Sequence, residues 1–494
     1  MQRFFVKNIL FVIAVNLLVK PLWVLFIDRT VQNTVPAASY GTYQALFSLG
    51  IIFQTVLDFG ISNYNSKTIS GHPERLQELF PAMLSARLVL MFLYMLVAGT
   101  WGFVLGYRGW ELTLLAGILL IHSLNALLAF IRSNVAALHR FKTDAVLSIT
   151  DRMLMIIICG FLLLYPATAA VFRIQWFVIT QIVCYFIAAM AGYIVLRRLG
   201  KVKLSFSFSV PEIMGVVRNS FPYALLIFLM SIYNRADAIM IERMCTDGKA
   251  QAGIWAAAFR LLDMVNIFGL MFATMLLPLF GRMLAQKEDV QPIAKLCVNM
   301  MVPVSVIAAI AAWFYGGDIM YLLYRKSEIY PTHAESYRWV FSILMLSFPA
   351  WCVMYVYSTL LTANGSMKTL NTIAAAGVVF NLTLNYVLVP RYSAVGGAIT
   401  SLATQSGLAL VFFIAAVRVI KLPLMARWLM AHVGFGVLVA ALGFGIARYT
   451  PSLSHPVQLV LFGAVSTVLI FVFRFVSVGN LKQLMNRSKV ETAS

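Results

Sequence analysis

About fourteen stretches of roughly 20 mostly apolar residues follow one another along this chain, and no other feature restricts its fold so severely. A bilayer offers no partners for backbone N–H and C=O groups, so such a segment crosses it as a helix. The runs are Ile9–Ile27, Tyr43–Phe59, Phe80–Leu105, Leu112–Ile131, Val146–Tyr165, Ile174–Leu196, Phe221–Ile241, Ala252–Phe280, Leu296–Tyr315, Trp339–Leu361, Thr372–Val389, Ala394–Val417, Trp428–Ala447 and Val457–Phe475. Of the 494 residues, 61% are hydrophobic and 11% charged, against about 45–50% and about 25% in soluble domains. The expected fold class is an all-α integral membrane protein. The segments outside these runs, such as Gly60–Leu79, Arg197–Ser220 and Gly316–Arg338, are too short to fold as soluble domains. Whatever the chain does, it does within the bilayer.

A net charge of +20 would suggest a nucleic-acid partner in a soluble protein. Here its distribution follows the alternation of the runs. With the N-terminus inside, one side receives Lys67, Arg75, Arg140, Lys142, Arg197, Arg198, Lys201, Lys287, Lys295, Lys368, Arg418 and Lys421, among others. The other side receives fewer than half as many, for example Arg108, Lys249, Arg325, Lys326 and Arg391. By the positive-inside rule both termini are expected in the cytoplasm, and no nucleic-acid partner is expected. The first run follows Arg3 and Lys7 as a signal peptide would. It is longer, is interrupted by Lys20 and lacks a small-residue cleavage site, so it is read as the first helix. Five scattered cysteines share no metal spacing.

An internal repeat is visible. Tyr40-Gly41-Thr42-Tyr43-Gln44-Ala45-Leu46-Phe47 opens the second helix, and Ala252-Gly253-Ile254-Trp255-Ala256-Ala257-Ala258-Phe259 opens the eighth. Ala137 to Thr143 after the fourth helix matches Ala363 to Thr369 after the tenth. Both pairs relate helix n to helix n+6 on the same side, which predicts two six-helix lobes in parallel orientation, a transporter signature. The predicted division is residues 1–200, residues 201–420, and helices thirteen and fourteen with a cytoplasmic tail over 421–494.

Four cations and two acids stand out inside apolar runs: Lys20, Arg87, Arg235, Arg260, Asp237 and Asp263. A charge at the bilayer centre costs about 2.5–3.5 kcal/mol on insertion scales, so such groups face a bundle interior or water. The positive surplus predicts that Lys20, Arg87, Arg235 and Arg260 hold an anionic substrate. Arg235 and Asp237 are two apart on one helix and point about 200° away from each other. Arg260 and Asp263 are three apart and are equally readable as a structural ion pair. Lys20 adjoins Pro21, which bends its helix. Asn381 and Asn385 share a face of the eleventh helix, and Thr400 and Ser401 follow Gly396-Gly397 on the twelfth. With Asp237 these oxygens suit a small hard cation; interhelical hydrogen bonding is the other reading. There is no serine elbow, no metal-binding histidine pair and no phosphate-binding glycine loop, so an enzyme is not expected.

Lys7-Asn8, Tyr40-Gly41, Asp58-Phe59-Gly60, Tyr233-Asn234-Arg235-Ala236-Asp237, Ala252 to Trp255, Leu360 to Gly365, Asn381 to Pro390 and Gly396-Gly397-Ala398, in this order, make a pattern. It resembles the oligosaccharide flippases of the multidrug/oligosaccharidyl-lipid/polysaccharide exporter superfamily, nearest the O-antigen (Wzx-type) branch. The resemblance implies a V-shaped bundle of two lobes in a bacterial inner membrane. By alternating access it would move undecaprenyl-diphosphate-linked oligosaccharide to the periplasmic leaflet, as a monomer beside other polysaccharide-assembly membrane proteins and membrane lipid. In the related lipid II flippase branch sodium binds in the second lobe. Its acid on helix seven resembles Asp237, and its polar pair on helix eleven resembles Asn381 and Asn385, the second being Asn here in place of an acid. No cofactor is implied beyond a coupling ion, sodium or proton. The competing readings are a cation-coupled drug or metabolite exporter of the same superfamily and a membrane-embedded polymerase or glycosyltransferase.

Overall fold

The computed structural model describes residues 19–475 apart from 20, 60–68, 70–74, 139, 203–204, 206–209 and 424–425; Phe141 and residues 210–220 are described as backbone alone. Every regular element among the described residues is a helix. The described end of α1 is a π-helical stretch, Trp23–Asp28, running on as Arg29–Thr34. Then come α2 (Ala37–Phe53, closed by a 3₁₀ turn Gln54–Leu57), α3 (Leu76–Val104), α4 (Trp110–Ala137), α5 (Phe141–Leu164), α6 (Ile174–Gly200), α7 (Val210–Met244) and α8 (Gly248–Ala285). They are followed by α9 (Gln291–Tyr324) and α10 (Tyr330–Ala363). Ser393, with φ +52°, divides Met367–Ile420 into α11 (367–392) and α12 (394–420); α13 (Ala426–Tyr449) and α14 (His455–Val472) complete the order.

The punctuation is local chemistry. Proline stands in the first turn of α9, α10 and α14, where its missing N–H is harmless and its fixed φ is already helical. Lys201 and Lys421 adopt left-handed backbone just past α6 and α12, ending each helix with a cation at its negative pole. Eleven helices among the described residues are long and apolar enough to cross a membrane.

Most helices reach past their apolar runs, and two of these boundaries are instructive. α2 begins at Ala37, six residues before its run, because Tyr40, Gly41 and Thr42 are buried against other helices, where a polar or small residue suits better than a lipid-facing one. The stretch 316–338, expected outside the bilayer, is helical up to Tyr324 and again from Tyr330, so the turn itself is 325–329.

The chain forms two compact units, residues 1–256 with 326–328, and residues 257–325 with 329–494. In the first, α2 is the central rod: twelve of its 17 residues are buried, α7 runs along it, and α4 packs on α6. In the second, α9 holds that place, packed by α10, α13 and α14, with Tyr315, Phe435, Val439 and Phe462 in the core. Exposed large side chains such as Phe92, Leu96, Phe161, Leu164, Val433 and Val437 form the outer surfaces, as helices bathed in lipid require.

A reporter active on one side of the membrane only is expected to be silent at one and active at the other of two fusion points, after Arg197 and after Arg391. Equal activity at both positions would break the alternation of crossings.

Candidate functional site

Lys20 lies outside the described residues. Arg87 does not stand apart from acids. Its Nη2 reaches Asp58 Oδ1 at 2.6 Å and its Nη1 donates to the Leu57 carbonyl. Arg87 is 1% exposed, with its guanidinium 5.3 Å from the Phe130 ring centroid. The side chain thus closes the end of α2, where unsatisfied carbonyls and the helix dipole both favour a cation. Its acid comes from the Asp58-Phe59-Gly60 motif, 29 residues away, and so was invisible within its own helix.

Arg235 is half-buried on α7 and Asp237, two residues on, is fully buried; both belong to the first unit. Arg260 and Asp263, half-buried on α8, belong to the second. Each of the four is engaged in interactions of its own.

In the second unit α11 and α12 meet along a buried polar seam. Asn381 Nδ2 donates to Thr404 Oγ1 at 3.3 Å, and Asn385 Nδ2 donates to Asn381 Oδ1 at 3.2 Å. Asn381, Asn385, Thr400 and Thr404 have no exposed surface, and Ser401 and Gln405 are buried beside them. Gly396 permits the approach: a Cβ there would lie 2.3 Å from the Leu388 carbonyl oxygen. Their four-residue spacing had placed Asn381 and Asn385 on one face; Thr404, on the other helix, carried no such signal. Residues 367–420 contain no Asp or Glu. A cation in this seam would therefore need its counter-charge from another helix.

The first unit holds a second charged cluster, which the sequence reading passed over. Tyr107 Oη donates to Glu242 Oε2 at 2.8 Å, Thr42 Oγ1 to Oε1 at 3.4 Å, and Arg243 Nε lies 3.1 Å from Oε2. Lys249 Nζ binds Glu111 Oε1 at 2.6 Å. The Arg243 guanidinium lies 3.5 Å from the Tyr107 ring centroid. Burial, then the Glu242 carboxylate, raises the pKa of the Tyr107 phenol, so it remains a donor. Beside this cluster the repeat-matched glycines meet. A Cβ on Gly41 would lie 1.8 Å from the Lys249 carbonyl oxygen and 2.8 Å from the Gly253 nitrogen; one on Gly253 would lie 2.7 Å from the Ala37 carbonyl oxygen. The turns after α1, α3 and α7 thus converge at one end of the unit, as an even number of crossings between them demands.

Asp28 was also missed. It is 2% exposed and accepts from Tyr40 Oη at 2.8 Å and Gln32 Nε2 at 3.2 Å. Nearby, Gln181 Nε2 donates to Tyr43 Oη at 3.2 Å. Asp28, Glu111 and Glu242 fall at or just beyond the ends of apolar runs, where a charge normally reaches water. Nothing in the pattern marks them as buried. Asp151 and Arg152 differ: they sit inside the run Val146–Tyr165, and the criterion applied to Arg87 would have found them. Arg152 Nη1 donates to Tyr185 Oη at 2.8 Å and lies 3.3 Å from Asp151 Oδ2.

A family model described as polysaccharide biosynthesis protein matches residues 5–284, and one described as MatE matches residues 222–387. No curated protein matches the chain. Among solved structures, a lipid II flippase MurJ in an inward closed conformation gives a TM-score of 0.66 at 14% identity, covering 98% of this chain and 100% of that one. An inward-facing multidrug resistance MATE family transporter of the MOP superfamily gives 0.65 at 14% identity, covering 81% and 94%. A MOP superfamily transporter from Pyrococcus furiosus gives 0.57 at 15% identity, covering 84% and 94%. At these identities the likeness concerns the fold alone.

Proposed function

The chain belongs to the polysaccharide biosynthesis protein family, and from that premise we propose that it is a flippase for undecaprenyl-diphosphate-linked oligosaccharide. It moves repeat units from the cytoplasmic to the periplasmic leaflet of a bacterial inner membrane. The observation that carries this reading is the half-buried position of Arg235 and Arg260 inside membrane-crossing helices. A diphosphate loses a large hydration energy on leaving water, and guanidinium groups already held at that depth offset the loss with forked hydrogen bonds. Arg87, committed to the end of α2, serves by holding α2 and α3 together. Lys20, next to Pro21, is assigned with the arginines. The bodies proposed to alternate are the lobes 1–200 and 201–420, with the difference that α7 and the start of α8 pack in the first compact unit.

Purified protein in vesicles, given a fluorescent undecaprenyl-diphosphate oligosaccharide, is expected to expose the sugar to an external quencher. Arg235→Ala with Arg260→Ala is expected to slow this by about tenfold or more, as the loss of a charged hydrogen bond implies. Vesicles that move organic cations and leave the lipid-linked sugar in place would favour the drug-export reading, to which the MatE match over 222–387 lends support.

Coupling is assigned to Asp237. It is fully buried on α7, where a carboxylate can exchange a proton or a cation; in the second unit Asn381, Asn385, Thr400 and Ser401 are assigned to coupling as well. Under a sodium or pH gradient, Asp237→Asn is expected to transport at the rate seen without a gradient. Transport equal to wild type under every gradient would make Asp237 a structural residue.

A further inference from the structure

A cleft opens in the second unit where the first turns of α9 and α13 meet the last two turns of α10 and α12. It holds about 350 Å³ counted out to its mouth, and Gln291, Tyr357, Phe413, Val417 and Trp428 are among its walls. Two polar bonds hold the walls in place. Gln291 Nε2 donates to the Pro423 carbonyl at 2.6 Å, and Trp428 Nε1 donates to Asn299 Oδ1 at 2.7 Å. They tie the start of α13 to α9 without filling the space between. Deeper in, the Tyr357 and Phe413 rings meet edge to face, with centroids 5.0 Å apart.

Tyr357 is 4% exposed, yet its hydroxyl makes no hydrogen bond among the described residues. A buried phenol normally finds a partner, and the cleft is the space this one lines. The rim is cationic: residues 415–430 carry Arg418, Lys421 and Arg427, all exposed, and no acid. This is the end of the unit at which the lysine and arginine excess predicts the cytoplasm. At about 1.5 Å per residue, Gln291 and Trp428 lie within about 3 Å of the starts of their helices, and Tyr357 and Phe413 about 9–11 Å from the ends of theirs. Entering from the membrane surface, a ligand meets cations first, then a hydroxyl donor, then apolar rings. A glycerophospholipid presents its phosphate, ester carbonyls and acyl chains in that same order.

We propose that this cleft seats one anionic glycerophospholipid of the leaflet at that end. The phosphate lies at the cationic rim, an ester carbonyl accepts from Tyr357 Oη, and one acyl chain runs over Phe413 and Val417. The rim selects an anionic headgroup, and the phenol selects an ester. Free phosphate would leave the apolar walls uncovered. The site makes no use of Arg235, Arg260 or the Asn381 seam, and it stands whether the chain carries a lipid-linked sugar or an organic cation.

The test is photolabelling of full-length protein in phosphatidylcholine nanodiscs. The probe is phosphatidylglycerol with a diazirine on one acyl chain, close to the ester. Crosslinks are expected to concentrate in residues 291–299 and 413–429. Unlabelled diester phosphatidylglycerol should compete about fivefold better than its diether analogue, which has no carbonyl to accept from Tyr357. It should outcompete phosphatidylcholine by about fivefold or more. Tyr357→Phe is expected to abolish the ester preference and keep the charge preference; Lys421→Gln with Arg427→Gln is expected to do the reverse. Should Tyr357→Phe fold poorly, the diester and diether lipids read the same contact in wild type. Labelling spread evenly over the lipid-facing helices, or equal competition by phosphatidylcholine, is what ordinary surrounding lipid gives and would overturn the site. Equal competition by diester and diether lipids in wild type, or an ester preference that survives Tyr357→Phe, would overturn it as well.

Discussion

Gly41→Ala is expected to cost this protein about 3 kcal/mol, a large effect for one methyl group. The added carbon would sit 1.8 Å from the carbonyl oxygen of Lys249, and a backbone atom in a helix cannot swing aside as a side-chain tip can. The first turns of α2 and α8 must separate, which also pulls Lys249 from Glu111 and loosens the packing beside Glu242. Gly99→Ala on α3 is the control: nothing lies within 4 Å of its added carbon. An alanine there is expected to stabilise by about 0.5–1 kcal/mol, since glycine in a helix interior sacrifices more chain entropy. Melting in detergent should therefore shift in opposite directions for the two variants. A Gly41→Ala protein that melts with wild type would mean that the two glycines do not touch.

Arg243→Ala is expected to destabilise by about 3–5 kcal/mol. It strips the cation from Glu242, whose side chain has no exposed surface, and leaves a buried carboxylate to which a phenol and a threonine hydroxyl donate. Lys249→Ala should cost no more than about 1 kcal/mol, because Lys249 is 43% exposed and its pair with Glu111 is screened by water. Adding Glu242→Gln to Arg243→Ala should recover most of the loss, since the amide still accepts from Tyr107 without presenting an unpaired charge. Denaturation of the two singles and the double gives the coupling directly. Additive losses would show that Glu242 and Arg243 do not act as a pair.

Much of this architecture was legible in the order of residues. Apolar runs about 20 residues long admit one kind of element in lipid, so class, approximate spans and the sites of intramembrane charge followed from composition along the chain. The repeat offset of six helices marked Gly41 and Gly253 as equivalent before either had a neighbour. Asn381 and Asn385, one turn apart on a face, could be paired from spacing alone because their contact is local.

Arg87 shows where that reading stops. Its position inside a run announced a charge in need of compensation, and an anionic substrate and a protein carboxylate answer that need equally well. Only the packing of α3 against the end of α2 chose Asp58. Glu242 is the converse case: a residue at the end of a run, readable as solvated, is buried because Thr42 and Tyr107, 200 and 135 residues away, close over it. The sequence by itself determined which segments enter the bilayer and which charges go with them, because transfer from water to lipid depends on each segment's own side chains. The tertiary structure alone decided what each charge meets, because that depends on which helix faces are brought within 3 Å of one another, and a helix period carries no record of its neighbour.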